Sequence, residues 1–119
     1  MIKGIHGMLL TSEPEATRAF FRDVIGLGGV DVGGGYLICS PREAELSFHP
    51  ADAAGFHVSL YCDDLEATVS ELRAKGVEFT RPIEDKGFGP ATVFSAPGGL
   101  RVELFQPSYS VKPSAIPAQ

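Results

Sequence analysis

A tripeptide and a histidine recur in this chain with the same spacing, and this internal repeat limits the possible folds more than any other sequence feature. Glu15-Ala16-Thr17 recurs as Glu66-Ala67-Thr68, and His6 recurs as His57, so both pairs lie 51 positions apart (66 − 15 and 57 − 6). A tripeptide of common residues is a weak signal, but it agrees in spacing with two of only three histidines. This internal repeat predicts two copies of one structural unit, which pack or pair to bury their half-exposed sheets.

Glycine and proline residues separate the first half into a strand, a helix and three further strands. The helix is expected to start at Glu13-Pro14 with Ser12 as its N-cap and to end at Gly26-Leu27-Gly28-Gly29. The strands are predicted at 4–11, 29–33, 35–40 and 44–49.

The second half repeats this order. Asp63-Asp64 is expected to cap a helix over 64–75, which stops at Lys75-Gly76. Strands are predicted at 55–62, 77–80, 91–95 and 100–106. Each half therefore reads βαβββ, and the fold class is α+β.

The length of 119 residues fits one compact domain. We expect that domain to span residues 1–107, with modules at about 3–50 and 54–107. Residues 108–119 follow Pro107 and contain Pro113 and Pro117, so they are predicted to be an extended or disordered tail.

Composition excludes several classes of function. A formal charge of −5 argues against a nucleic-acid surface, which needs clustered Lys and Arg. No run of about 18 apolar residues exists to span a membrane, and the start of the chain lacks the basic and apolar regions of a signal peptide. We therefore expect a cytoplasmic protein. Cys39 and Cys62 lie in apolar stretches and are expected to be reduced thiols.

Alternation along the strands predicts which side chains share a face. One set is apolar and is expected to face the helices: Ala44, Leu46, Phe48, Phe56, Val58, Leu60, Val102 and Leu104. The opposite set carries the chemistry: Glu45, Ser47, His49, His57, Ser59, Tyr61, Arg101, Glu103 and Phe105.

Each half thus offers one histidine on its first strand and one glutamate on its last, namely His6, Glu45, His57 and Glu103. Imidazole and carboxylate together suit Zn, Ni, Co, Mn or Fe(II), and four protein ligands on a six-coordinate ion leave two positions open. Taken singly, a strand glutamate is usually a solvated surface residue, and a strand histidine a surface or satisfied core residue. The pattern alone leaves both interpretations open.

Four segments resemble a known family. His6-Gly7-Met8-Leu9, Glu45-Leu46-Ser47-Phe48, Phe56-His57-Val58-Ser59-Leu60 and Arg101-Val102-Glu103-Leu104-Phe105 resemble the glyoxalase I, bleomycin-resistance and extradiol-dioxygenase superfamily, also called vicinal oxygen chelate proteins. The resemblance runs from about residue 3 to 107. It implies two βαβββ modules forming curled mixed sheets around a cleft, and a homodimer that acts on a small molecule.

The glyoxalase branch looks chemically most similar. By that resemblance His6, Glu45, His57 and Glu103 would hold one divalent metal, and Glu45 or Glu103 would serve as the base. The expected reaction stabilises an enediolate-like intermediate, as in an isomerase, epimerase or lyase. His49 is expected at the rim of the cleft.

Two alternative functions stay open. In an Fe(II) dioxygenase, His6, His57 and Glu103 would form a facial triad and Glu45 would be surplus. In a drug-binding resistance protein without metal, the walls of the groove would be aromatic, drawn from Tyr61, Phe79, Phe88, Phe94 and Phe105.

Three loops of the sequence can be compared with loops of known function. The family turn before the last strand commonly reads Asp-Pro-Asp-Gly, whereas this chain has Ala96-Pro97-Gly98-Gly99. Glu84–Pro90 is interpreted either as a flap over the cleft or as an ordinary polar loop. Gly33-Gly34-Gly35 lacks the Lys-Ser/Thr that follows in a phosphate-binding loop, so we reject that function.

Overall fold

The computed structural model describes residue 1 and residues 8–31, 37, 38, 44, 48 and 50–109. The helices of this part are α1 (Pro14–Ala19) and α2 (Leu65–Ala74). Its strands are β1 (Val30–Asp31), β2 (Leu37–Ile38), β3 (Ser59–Tyr61), β4 (Glu84–Asp85), β5 (Pro90–Ala96) and β6 (Leu100–Phe105). The expected ligands His6 and Glu45 fall outside the described residues, as do His49 and Cys39.

The second half of the chain forms a four-stranded mixed sheet with the order β3-β6-β5-β4. The first strand of this half, β3, runs parallel to the last strand, β6, and the other neighbours are antiparallel. The predicted order of strand, helix and three strands is confirmed here. The strand predicted at 77–80 is reduced to a single bridge between Phe79 and Phe94, and β4 was not predicted.

Helix α2 has the ends that its sequence predicts. The carboxylate of Asp64 accepts a hydrogen bond from the backbone of Ala67 at 3.1 Å, which satisfies one of the free N–H groups of the first turn. At the other end Gly76 adopts φ +88°, and Val77 N–H bonds back to Leu72 at 3.0 Å. This is a Schellman ending, which needs a residue that tolerates positive φ.

Helix α1 starts one residue later than predicted. Its N-cap is Glu13 and not Ser12, because Pro14 occupies the first helical position. The Thr11 hydroxyl accepts from the Glu13 N–H at 3.1 Å. Beyond Ala19 the chain continues as a π-helical turn, Phe20–Val24, and Gly26 with φ +84° follows that turn.

The internal repeat, with its spacing of 51 residues, is visible in the hydrogen bonds of the first turn of each helix. The Thr17 hydroxyl donates to the carbonyl of Glu13 at 2.7 Å, and the Thr68 hydroxyl donates to the carbonyl of Asp64 at 2.7 Å. In each helix the threonine N–H bonds to the same carbonyl. The repeated threonine therefore occupies the same position in the first turn of both helices.

The first half is described only in part. Strands β1 and β2 pair antiparallel, at the places predicted for two of the strands. Residues 8–11, which we predicted as the end of the first strand, are not in a strand. Thr11 already belongs to the turn that enters α1.

Both helices pack on one face of the four-stranded sheet. The core they share with the sheet holds Phe21, Leu65, Val69, Leu72, Val77, Phe94, Ala96, Val102 and Leu104. Val102 and Leu104 point inward as predicted, with exposed fractions of 1% and 3%. The prediction that Phe56 also points inward is wrong: it is 61% exposed, because it precedes β3 and is not held by the sheet. Phe48, also predicted inward, is 87% exposed and lies in no strand.

A polar contact joins α1 to the turn between β5 and β6. The Glu13 carboxylate accepts from the backbone N–H of Gly98 at 2.8 Å, and the Thr17 hydroxyl lies 3.2 Å from the carbonyl of Pro97. Gly98 has φ +83°, and a Cβ there would collide with the Thr11 side chain. Glycine at position 98, where the family turn has aspartate, therefore lets the first helix approach this turn.

The described part of the chain contains no helix that is long and apolar enough to cross a bilayer.

Candidate functional site

The face of the sheet turned away from the helices carries the chemically active side chains. Register assigns them: Ser59 lies beside Glu103 and Tyr61 beside Phe105 on the parallel pair, and Val93 lies opposite Glu103. We call this surface the open face. Alternation predicted correctly that Ser59, Tyr61, Glu103 and Phe105 would share it.

Glu103 is held by a neighbouring strand. The Ser59 hydroxyl donates to its Oε1 at 2.9 Å, and the Glu103 side chain is half-buried. Within residues 50–109 no lysine or arginine forms an ion pair with Glu103. The carboxylate is therefore oriented by a neutral donor and forms no direct ion pair within these residues.

His57 is the other described member of the expected ligand set. It precedes the paired part of β3 by two residues and is exposed. Its neighbour Val58 accepts a backbone hydrogen bond from Glu103 at 3.4 Å, so the chain next to His57 already follows β6. No group of three or more His, Cys, Asp or Glu side chains that could hold a metal occurs among the described residues. The four-ligand site stays a prediction, since His6 and Glu45 lie outside that part.

Three aromatic rings cluster next to Glu103 on the open face. Phe105 lies two residues further along β6, about 7 Å along the strand. It contacts Tyr61 with 5.9 Å between ring centroids and Phe88 with 5.2 Å. Phe105 is buried because the other two rings cover it, whereas Phe88 is 39% exposed.

The remaining aromatic candidates lie on the other side of the sheet. Phe94 is fully buried in the core and contacts Phe79 and Phe20. The five aromatic residues proposed as walls of a groove thus divide into three on the open face and two in the core. Sequence alternation cannot separate them, because Phe88 reaches the open face from a loop.

That loop, Glu84–Pro90, is the tip of a hairpin between β4 and β5. Lys86 N–H bonds to the carbonyl of Gly89 at 3.0 Å, and Ser108 N–H bonds to the carbonyl of Phe88 at 2.9 Å. The segment after β6 therefore fastens the hairpin from outside. The loop is thus the exposed turn of a hairpin, which agrees with the interpretation as a polar surface loop and not with a free flap.

A hollow on the open face lies between the hairpin and Glu103. Its border includes Arg81, Glu84, Lys86 and Val93 together with Glu103. Lys86 forms an ion pair with Glu84 at 3.3 Å. The candidate site of this half thus combines a carboxylate without a direct ion pair, two cations at the border of the hollow and an aromatic cluster further along β6.

The sequence matches the glyoxalase/bleomycin resistance protein/dioxygenase superfamily over residues 5–104. The chain belongs to this superfamily. Its fold is the glyoxalase/bleomycin resistance fold, in which mixed sheets of the α+β class form an open cleft. The resemblance inferred from the four sequence segments is confirmed.

Similar proteins in this superfamily differ in function. A manganese-dependent 2,3-dihydroxybiphenyl 1,2-dioxygenase of Geobacillus genomosp. 3 is 33% identical over 110 residues, which are 84% of this chain and 35% of that protein. The chain therefore spans about a third of the length of that relative.

Solved structures show the same fold at lower identity. TnmS3, an antibiotic binding protein from Streptomyces sp. CB03234, has a TM-score of 0.63 at 24% identity, covering 91% of this chain and 100% of that one. Lactoylglutathione lyase from Agrobacterium tumefaciens has a TM-score of 0.58 at 20% identity, covering 82% and 88%. Enzymes and binding proteins thus share this fold. The fold alone does not distinguish the two functions, so the side chains of the site have to be considered.

Proposed function

We propose that this chain is a metal-dependent enzyme acting on a small oxygenated compound, of the isomerase, epimerase or lyase type. One divalent ion (Zn, Ni, Co, Mn or Fe(II)) would be held by His6, Glu45, His57 and Glu103. The observation that carries the proposal is the Glu103 carboxylate, oriented by a hydroxyl and without a cationic partner among the described residues. A half-buried carboxylate in this state is well suited to a cation.

The donor set fits such an ion where it is described. Glu103 of β6 and His57, which precedes β3 by two residues, are borderline-to-hard ligands, and the backbone of Val58 bonds to Glu103. When bound, the ion supplies Lewis-acid polarisation of two neighbouring substrate oxygens. The chain itself would supply the ligands, and the Ser59 hydroxyl orients Glu103.

The proton transfer is assigned to a glutamate. Glu45 or Glu103 would accept the proton from the substrate carbon, because a tethered carboxylate has a high effective concentration beside it. Replacement of Glu45 or Glu103 by glutamine retains the shape but removes the basic oxygen. Either variant is expected to lose turnover while retaining its fold.

Metal analysis of the purified protein tests the proposal. Wild-type protein should contain about one metal per chain, and Glu103→Gln should lose most of it. Glu71→Gln is the matched control, since Glu71 is an exposed carboxylate of α2 that pairs with Lys75 and does not border the hollow. A wild-type protein that neither contains nor takes up a divalent ion would refute the enzyme proposal and favour a binding protein.

A ring-opening oxygenase is the second candidate, favoured by the aromatic cluster of Tyr61, Phe88 and Phe105 beside Glu103. Rings at this place suit a planar aromatic substrate, and the 33% identical relative is named as a dioxygenase of a dihydroxylated biphenyl. Oxygen uptake with a catechol, after anaerobic loading with Fe(II) or Mn(II), distinguishes the two candidates. Uptake would establish the oxygenase, and a metal-loaded protein without uptake would favour the isomerase or lyase.

We also propose a cytoplasmic homodimer of one domain, 1–107, with modules at about 3–50 and 54–107 and an extended tail at 108–119. Apolar side chains of the first half are left open to solvent in the single chain: Met8 69%, Leu10 79% and Phe48 87% exposed. A second copy would cover such surface. Light scattering coupled to size exclusion should give twice the mass of one chain.

A further inference from the structure

Ser59 occupies the position from which one side chain can control Glu103. We propose that Ser59 is a positioning residue: its hydroxyl fixes the Glu103 carboxylate so that one oxygen is free to bind the metal. The inference rests on the proposed metal site. It concerns a residue that is not itself a ligand.

The backbone places the two residues side by side without help from their side chains. Ser59 and Glu103 are register partners on the parallel strands β3 and β6. Bonds from Glu103 N–H to Val58 and from Cys62 N–H to Phe105 flank the pair, at 3.4 and 3.0 Å. The strands stay aligned in a variant without the hydroxyl, so the effect of the hydroxyl on the carboxylate can be measured separately.

The chemistry of the pair favours metal binding by one oxygen. A serine hydroxyl has a single proton, and it is donated to Oε1 of Glu103 at 2.9 Å. Oε2 keeps its lone pairs. A glutamate with three side-chain torsions is thereby restricted to one orientation, which reduces the ordering that ligation has to achieve.

A neutral donor also preserves the charge of the ligand. Lysine or arginine in place of Ser59 would orient the carboxylate equally well, but would compete with the ion electrostatically. The strand neighbour of Glu103 is instead a hydroxyl. Of the two cations that border the hollow, Lys86 pairs with Glu84, and Arg81 forms no ion pair with Glu103 among the described residues. Outer partners of this kind commonly raise metal affinity by about 10- to 100-fold.

A merely structural role makes a different prediction. Ser59 is exposed, and a hydroxyl-to-carboxylate bond in water adds little to folding. If the bond served only the sheet, its loss would change thermal stability slightly and leave the metal affinity unchanged.

The experiment compares Ser59→Thr with Ser59→Val in the full-length protein. These two side chains have the same shape, and only threonine retains a hydroxyl; both are favoured in strands. Affinity for Mn²⁺ or Zn²⁺ is measured by competition with a chromophoric chelator, and melting of the metal-free protein is recorded in parallel. Ser95→Val is the matched control, because Ser95 lies on the open face opposite Arg101 and away from Glu103.

We expect Ser59→Val to bind the metal about 10- to 100-fold more weakly than wild type. Ser59→Thr should stay within about threefold on the same scale, and Ser95→Val should match wild type. A Ser59→Val protein with wild-type affinity overturns the inference while Glu103→Gln still tests the site. If wild type binds no ion, or Glu103→Gln binds as tightly as wild type, the proposed site itself is wrong.

Discussion

At the scale of single residues, equivalent positions of the two halves differ in their surroundings. Thr17 and Thr68 make the same bond to the carbonyl four residues before them. Thr17 is 5% exposed and also contacts the Thr11 hydroxyl at 3.0 Å, whereas Thr68 is only half-buried. The local geometry is the same in both helices, whereas Thr17 is the more deeply packed of the two threonines.

Thr17→Val should therefore lower the free energy of unfolding by about 1–2 kcal/mol, because a buried hydroxyl network loses its central member. Thr68→Val should cost less than about 1 kcal/mol. Urea denaturation followed by circular dichroism measures both. Equal losses in the two variants would contradict the difference in packing.

Cys62 is expected to make the free energy of unfolding depend on pH. Burial raises the pKa of its thiol, and hydrogen bonding with the Thr68 side chain and the Asp64 backbone opposes this only in part. The folded protein therefore holds the proton to higher pH than the unfolded chain does. This contribution to stability is complete below the pKa of the unfolded thiol and is lost as pH rises through the folded value.

In a Cys39→Ser background, iodoacetamide should modify Cys62 more slowly in the folded protein than in urea at pH 8, since the thiolate is the reactive form. The difference should shrink as pH rises above the ordinary thiol pKa. Mass spectrometry of timed samples gives the rates. A folded rate equal to the unfolded rate at pH 8 would show that the thiol is not buried.

At the scale of elements, the hairpin that carries Phe88 depends on two glycines in different ways. Both have positive φ, +88° at Gly87 and +138° at Gly89. A Cβ at Gly89 would collide with the carbonyl oxygen of Gln106, whereas a Cβ at Gly87 meets nothing within 4 Å. The segment after β6 presses on the hairpin at one of these two points only.

Gly89→Ala should destabilise the protein by about 2–4 kcal/mol, from strained backbone and a collision with backbone atoms. Gly87→Ala should cost about 1 kcal/mol, from the backbone strain alone. Thermal melting with calorimetry compares the two. Equal losses of stability in the two variants would mean that residues 106–108 do not contact the hairpin at Gly89.

Elements also show what sequence can predict. Alternation identified the faces of β3 and β6 because a regular strand turns each successive side chain to the opposite side. It failed at Phe56, where the strand had not yet begun, and it missed the burial of Phe105, which depends on rings from β3 and the hairpin. The Ser59–Glu103 bond required the parallel register, and residues 44 positions apart give no local signal of their pairing.

At the scale of the whole molecule, the first helix and the second sheet form one body. Glu13 and Thr17 of the first half contact the turn at Pro97 and Gly98, and Phe21 lies in the shared core. The departure from the Asp-Pro-Asp-Gly turn has its explanation here, since Thr11 occupies the space of a side chain at 98. We expect the described helices and sheet to unfold in one transition.

Gly98→Asp, which restores the family residue, should lower stability by about 2–4 kcal/mol, since positive φ and the Thr11 side chain both oppose it. Thr11→Ala should relieve part of that cost, by about 1–2 kcal/mol in a double-mutant cycle. Chemical denaturation of the four proteins gives the coupling. Strictly additive losses would mean that Thr11 does not restrict the side chain at position 98.

Strand β6 lies between β3 and β5, so the sheet is joined through the strand that comes last in sequence. A nascent chain on the ribosome that has emerged only as far as residue 99 has no neighbour for Ser59 and no Glu103. The β4–β5 hairpin can already pair at that stage, but β3 cannot join it and Ser59 has no carboxylate to hold. The proposed ion site of this half is therefore complete only once the strand that comes last in sequence has been inserted between the other two.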